Sequence, residues 1–197
     1  LASTVAPSGE THAVRLVGWL HGTPLAEVPR TFELMRSLGQ SFAEVDRALQ
    51  GFIHPGAVRD LDWDLRHAAR SRSRLHFVKD ADKRAILERF IDRFERTVQP
   101  KLARLRTQVI HNDGNDWNIL VDSCNHQKVS GIIDFGDAVH TILIAEVAIT
   151  CAYSILDMED PIGAAAALTA GFHEKYPLHP EEVDVLFNLI AMRLVTS

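Results

Sequence analysis

From Phe32 to Leu49 the apolar residues Phe32, Leu38, Phe42, Val45 and Leu49 keep helical spacing, which predicts an amphipathic helix. Thr31 can cap it and Gly51 can terminate it. A second helix is predicted over Ala81 to Val98, with Ile86, Phe90, Ile91, Phe94 and Val98 on one face, Asp80 as cap and Pro100 as stop. Between the two, Phe52 to Asp62 reads as polar and irregular around a His54-Pro55-Gly56 turn. Other stretches lose the helical period. Val14 to Leu20, rich in β-branched and aromatic residues, predicts a strand that ends in the turn chemistry of His21-Gly22-Thr23-Pro24. Val109-Ile110, Ile119 to Val121 and Val129 to Ile133 are short β-like runs, and Asp122 to Asn125 turns the second into the third. Three helices should follow. Ile142 to Leu156 is apolar nearly all round and should be buried. Asp160-Pro161 opens the next, and Pro180-Glu181-Glu182 opens the last, which carries Val183, Leu186, Ile190 and Leu194. The fold class is therefore α+β, mainly helical, with one small β-hairpin.

Composition narrows the function classes. The chain has 197 residues with 46% hydrophobic and 24% charged, ordinary globular values that exclude disorder and low complexity. A net charge of −5 argues against nucleic acid as the main ligand. The longest apolar stretch is broken by Glu146 and is too short for a bilayer, so no membrane role is expected. Two cysteines, Cys124 and Cys151, without a C-x-x-C pair suggest a reducing compartment and a cytoplasmic location. The start, Leu1-Ala2-Ser3-Thr4, lacks an initiator Met and a signal peptide, so the chain is expected to be a piece of a longer parent. Charge is uneven: Arg59 to Arg106 holds 14 Lys/Arg and 8 Asp/Glu, whereas Thr107 to the end holds 3 and 13. The acidic half suits a divalent metal or a cationic substrate.

The chemistry is concentrated in His111-Asn112-Asp113-Gly114-Asn115-Asp116-Trp117-Asn118 and in Ile133-Asp134-Phe135-Gly136-Asp137. The spacing His-x-Asp-x-x-x-x-Asn would arise by chance in about 0.02 chains of this composition. Phosphoryl transfer needs these residue types. The transferring group and the leaving nucleotide are anionic, so a divalent metal held by hard oxygen ligands must neutralise them. Asp134 offers a carboxylate and Asn118 an amide oxygen, and the hairpin from Ile119 to Ile133 can turn both into one gap. Asp113 can accept a substrate hydroxyl's hydrogen bond and take its proton late in the reaction. His111, counted with it in the catalytic loop, holds the loop in shape. Other readings stand beside this one. His111, Asp113, His126 and Asp134 can be read as metal-hydrolase ligands, although no zinc spacing supports that. Asp137 either supports magnesium or caps the next segment. Glu146 is either a buried, paired carboxylate or an acid reaching the substrate. Trp63 and Asp64 either wall an ammonium group or start a helix. Trp117 reads as packing. A nucleotide-binding module without catalysis is the rival from another class.

These segments resemble the aminoglycoside phosphotransferase/choline kinase family, which shares the protein-kinase-like fold. The resemblance covers nearly the whole chain as a C-terminal lobe. Within the family, Arg15 to Leu25, Trp63 to Ala68 and Gly131 to Asp137 are similar to the hydroxylysine kinase-like branch. The resemblance implies Asp113 as catalytic base, Asn118 and Asp134 as Mg2+ ligands, and ATP as phosphoryl donor. It makes residues 1–22 a last N-lobe strand plus hinge and residues 23–197 a helical C-lobe, with catalytic loop 111–118 and metal-binding segment 134–137. Adenine would meet the hinge backbone near Trp19 and Leu20, with Ile133 also against the nucleotide. The acceptor would be a small amine-bearing alcohol, foremost 5-hydroxylysine, with homoserine, choline, ethanolamine and an aminoglycoside still open. Bacterial members of the branch can be fused to a class III aminotransferase-like, pyridoxal-phosphate domain. Two departures stand out: Asn112 replaces the family's usual Gly, and no Gly-rich loop, strand lysine or partner glutamate precedes Val14. The chain alone is therefore expected to transfer phosphate far more slowly than its parent.

Overall fold

The computed structural model describes residues 2–197. An N-terminal hairpin pairs β1 (Ala2–Val5) with β2 (Thr11–Val14), antiparallel. The strand expected over Val14 to Leu20 is not formed: the ladder stops at Val14, and residues 15–22 run without regular structure. Among the described residues no strand pairs with them, and β propensity without a pairing partner makes no ladder. Their apolar side chains face solvent, Leu16 fully and Trp19 by 83%.

The mainly helical body follows the sequence pattern more closely. Helix α1 (Phe32–Ala48) starts where the Thr31 hydroxyl accepts from the Leu34 N–H at 3.1 Å. Helix α2 (Ala81–Thr97) starts where Asp80 accepts from two backbone N–H groups, both at 3.0 Å. Ile86, expected on its buried face, is exposed, while Ile91 and Phe94 are fully buried. Between them, Leu65–Phe77 coils as a long 3-10 segment capped by Asp64. Three short antiparallel strands form one sheet in the order β3 (Thr23–Pro24), β5 (Ile119–Val121), β6 (Val129–Ile132). The turn between β5 and β6 is held by Asp122, whose side chain accepts from Cys124 N–H and Asn125 N–H. A second pair joins β4 (Thr107–Ile110) to β7 (Val139–Ile142), with Ile110 opposite Val139. Strand β7 takes Ile142, the first residue of the expected helix, together with Val139 to Thr141; the β-branched Val139, Thr141 and Ile142 carry its signal.

Helix α3 (Ile144–Ser154) is buried on every face, as its sequence requires, and forms the centre of the core. Helices α4 (Pro161–Lys175) and α5 (Pro180–Thr196) pack on it, and α1 lies along α4. The α1–α4 crossing is tight because Gly39 has no side chain: a β-carbon there would overlap the Leu168 carbonyl oxygen. Among the described residues no helix is long and apolar enough to cross a membrane.

Candidate active site

The loop from His111 to Asn118 leaves the buried end of β4 and enters β5, so both its ends are tied into the core. Its second residue, Asn112, adopts φ 67°, a left-handed conformation that Asn accepts at lower cost than most residues. That kink turns two successive N–H groups inward onto the Glu146 carboxylate of α3. His111 N–H donates to Glu146 Oε2 at 2.5 Å, and Asn112 N–H donates to the same oxygen at 3.2 Å. Glu146 is fully buried, which fits the paired-carboxylate reading. Burial pushes its carboxyl up to about 7, and the charge of Asp113 adds to this; the two loop N–H groups pull the other way. Beside it lies Asp46 of α1, a residue the sequence pattern did not single out. Asp46 is fully buried, neither carboxylate oxygen has a partner, and burial together with Glu146's charge raises its pKa well above normal.

His111 is a fixed spacer. Its Nε2 lies 2.9 Å from the Ile133 carbonyl oxygen, and its Nδ1 accepts from the Asp113 N–H at 3.2 Å. Only the neutral Nε2–H tautomer satisfies both contacts. Burial lowers the His111 pKa, in agreement with a neutral ring. The ring also meets Phe42 and Phe135 edge to face. Gly114 allows the loop to lie on α3, since a β-carbon there would overlap the Thr150 hydroxyl.

Asp113 emerges from this frame with its side chain 22% exposed. Its Oδ2 accepts from Asn118 Nδ2 at 2.8 Å and from Asn115 Nδ2 at 3.0 Å. Asn115 was not anticipated. It folds the loop through its own Oδ1, which accepts from Trp117 N–H and Asn118 N–H. With its amide nitrogen committed to Asp113, Asn118 has its amide oxygen left to offer elsewhere. The Asn118 carbonyl receives Ile133 N–H at 2.9 Å, extending the β5–β6 ladder to the edge of Asp134. Asp134 is exposed and left-handed (φ 61°), and its Oδ1 accepts from Gly136 N–H at 3.0 Å. The backbone thus brings His111, Asp113, Asn118, Ile133 and Asp134 together. Arg59, also unanticipated, holds the next segment: Nη2 donates to the Gly136 carbonyl at 2.6 Å and stands 4.0 Å from Asp137 Oδ1.

A cavity of about 580 Å³ opens on the same edge, lined by Trp19, Leu20, Trp117, Ile133, Asp134 and Phe135 among others. Trp117, read from the sequence as packing, is 60% exposed and lines this cavity. Asp64 does not reach the cleft surface. It is fully buried, held by Arg66 at 2.8 Å and by the Thr141 hydroxyl at 2.7 Å, in the helix-start arrangement. Trp63 beside it is 39% exposed. Among the described residues no three His, Cys, Asp or Glu side chains converge as a metal cage. A magnesium ion does not need one, because it keeps waters and phosphate oxygens and takes one or two protein oxygens.

A mainly helical lobe with this loop and hairpin defines a class. The family described as the phosphotransferase enzyme family (APH) matches residues 1–184, and the chain belongs to that family. The chain is 36% identical over 200 residues to the hydroxylysine kinase of Xenopus laevis, covering 95% of this chain and 54% of that protein. It thus spans about half the length of the curated relative. Among solved structures, the microcompartment-associated aminopropanol kinase superposes with TM-score 0.68 at 19% identity, over 98% of this chain and 65% of that one. An amicoumacin kinase in complex with AMP-PNP, Ca2+ and Ami superposes with TM-score 0.62 at 14% identity, over 89% of this chain and 53% of that one.

Proposed function

We propose that the protein is a kinase that moves the terminal phosphoryl group of ATP, with Mg2+, onto the hydroxyl of a small amine-bearing metabolite, 5-hydroxylysine foremost. The observation that carries this reading is the state of the Asp113 carboxylate. One oxygen is fixed by two amides, and the other, Oδ1, accepts no hydrogen bond. Such an arrangement suits a general base: a carboxylate held in place through one oxygen, with the other left without a hydrogen bond. The acceptor O–H donates to Asp113 Oδ1. As its oxygen bonds to phosphorus and the bond to the leaving nucleotide breaks, the proton passes to Oδ1. The phosphorylated acceptor and ADP leave, and Asp113 returns its proton to water.

Asn118 Oδ1 and an Asp134 carboxylate oxygen suit the magnesium, being hard oxygens without other commitments at the joined ends of the β5–β6 hairpin. When bound, the ion neutralises phosphate charge. The apolar cavity at Trp19, Leu20 and Ile133 suits a nucleotide base, which buries its faces against such side chains. In this reading residues 1–22 flank the nucleotide and residues 23–197 carry the chemistry. The names of the relatives favour a small amino-alcohol, and the acidic charge of the C-terminal half suits a cationic one.

The test is a coupled turnover assay on the protein in its natural full length, across 5-hydroxylysine, homoserine, choline, ethanolamine and an aminoglycoside. Asp113→Ala is expected to cut turnover by about 10²- to 10⁴-fold while nucleotide binding persists. Near-normal turnover by that variant overturns the role of Asp113. Nucleotide binding with no turnover of any acceptor replaces the kinase by a binding module.

A further inference from the structure

Helix α5 sends one charged side chain into the interior beside the base. Arg193 is 5% exposed. Its Nη1 donates to the Trp63 carbonyl at 3.2 Å and its Nη2 to the Tyr153 hydroxyl at 3.0 Å, both neutral acceptors. Its Nε is buried without a partner. A buried guanidinium bonded only to neutral oxygens is costly unless a carboxylate compensates it. Among the described residues, the one carboxylate within 4.0 Å is Asp113, whose Oδ1 lies 3.8 Å from Nη2.

That distance is informative. Arg30 and Asp116 close to 2.8 Å, and so do Arg66 and Asp64. Arg193 stops at 3.8 Å from Asp113, too far for a hydrogen bond yet close enough for strong attraction in a water-poor setting. One of its two Nη2 N–H groups is given to the Tyr153 hydroxyl, which anchors the guanidinium on the far side of that gap. We propose that Arg193, held off by Tyr153, is the positioning residue that compensates the charge of Asp113 while leaving Oδ1 unbonded for the acceptor hydroxyl.

The inference rests on Asp113 being the base, and it adds how that base is kept open. A guanidinium in direct contact would compete with the acceptor for the lone pairs of Oδ1. A missing guanidinium would leave the carboxylate held from the Asn115 and Asn118 side alone. Sequence reading gave no hint of either partner, because Tyr153 and Arg193 lie 40 and 80 residues beyond Asp113 and belong to no motif.

The experiment compares Tyr153→Phe, Arg193→Lys and Arg193→Met with wild type in the full-length protein, reading kcat and the KM for each substrate. Tyr153→Phe lets Arg193 close onto Asp113. It is expected to lower acceptor kcat/KM about tenfold, the worth of one charge-assisted hydrogen bond, with KM for ATP unchanged. Its crystal structure should show the Arg193–Asp113 distance contracted to direct contact. Arg193→Met should lose more in kcat, with Arg193→Lys recovering part of it. If Arg193→Met does not fold, the two conservative variants carry the test. Kinetics within twofold of wild type for both overturn the inference, as does a loss shared equally by ATP and acceptor, which marks a merely structural role. Asp113→Ala in parallel separates the two claims. If it keeps turnover, the base assignment has failed; if it loses turnover while Tyr153→Phe and Arg193→Lys do not, only the role of Arg193 has failed.

Discussion

The two sides of the loop at Asp113 are built differently. Behind it, His111, Asn112, Thr150 and Glu146 are buried, and the loop's N–H groups are fixed by a carboxylate of the central helix. In front of it, Trp19, Trp117 and Phe135 are exposed around an open cavity. Close packing and hydrogen bonding make the rear a frame that resists displacement. The front holds apolar side chains with few protein neighbours, which is the state of a surface that gains its contacts from a ligand. Asp113, Asn118 and Asp134 lie along the seam. Asp134 lines the cavity, and Asp113 and Asn118 sit behind it, tied to each other by the Asn118 amide.

If the rear is the frame, damage there should cost folding before anything else. Glu146→Ala leaves the N–H groups of His111 and Asn112 buried without acceptors, at a cost of about 3 kcal/mol. For a chain of this size the melting temperature should drop by roughly 10 °C, with loss of any turnover. A melting curve within about 2 °C of wild type would break the contrast between the two sides. At the front the signature reverses. Trp19 is 83% exposed, so Trp19→Ala should leave stability within about 0.5 kcal/mol of wild type. Nucleotide affinity, read by titration calorimetry, should fall about tenfold for the loss of one stacking surface. Unchanged affinity would remove Trp19 from the nucleotide site.

The same contrast explains what the sequence made legible. Helices α1 to α5 and the β5–β6 hairpin announce themselves through period, cap and turn residues: Thr31, Asp80, Asp122, Asp160 and Pro180 each begin or turn an element as expected. The central residues of the site follow from a rare spacing, and the structure brings them to one edge. Three kinds of feature were not legible. The segment Val14 to Leu20 has strand propensity but lacks a neighbour, and pairing is not written in the segment itself. Asp46 and Arg193 belong to helices whose patterns give no reason to aim a charge inward. Arg59 and Asn115 act through backbone carbonyls and turn geometry, which carry no residue signature at a distance.

The smallest expected effect is the one that sharpens the picture of the rear frame, and it concerns Asp46. Its carboxylate is buried with no partner, and Glu146 lies close enough to repel it. Both carboxyls are raised, Asp46 by burial and then Glu146, and Glu146 to about 7 by burial first. In the unfolded chain such groups release their protons near pH 4. Between that point and about pH 7 the folded chain therefore binds more protons than the unfolded one, so these two sites make stability fall as pH rises. His111 works the other way, because a buried neutral ring loses stability as pH drops below its normal value of about 6.5. Asp46→Asn leaves His111 in place and removes one acid from the pair. The variant should then gain on wild type as pH rises from 5 toward 7, as read from urea midpoints at each pH. A gap that stays flat across that range would mean that Asp46 is already paired in solution, and the frame behind the loop would need a cation or a donor not yet identified.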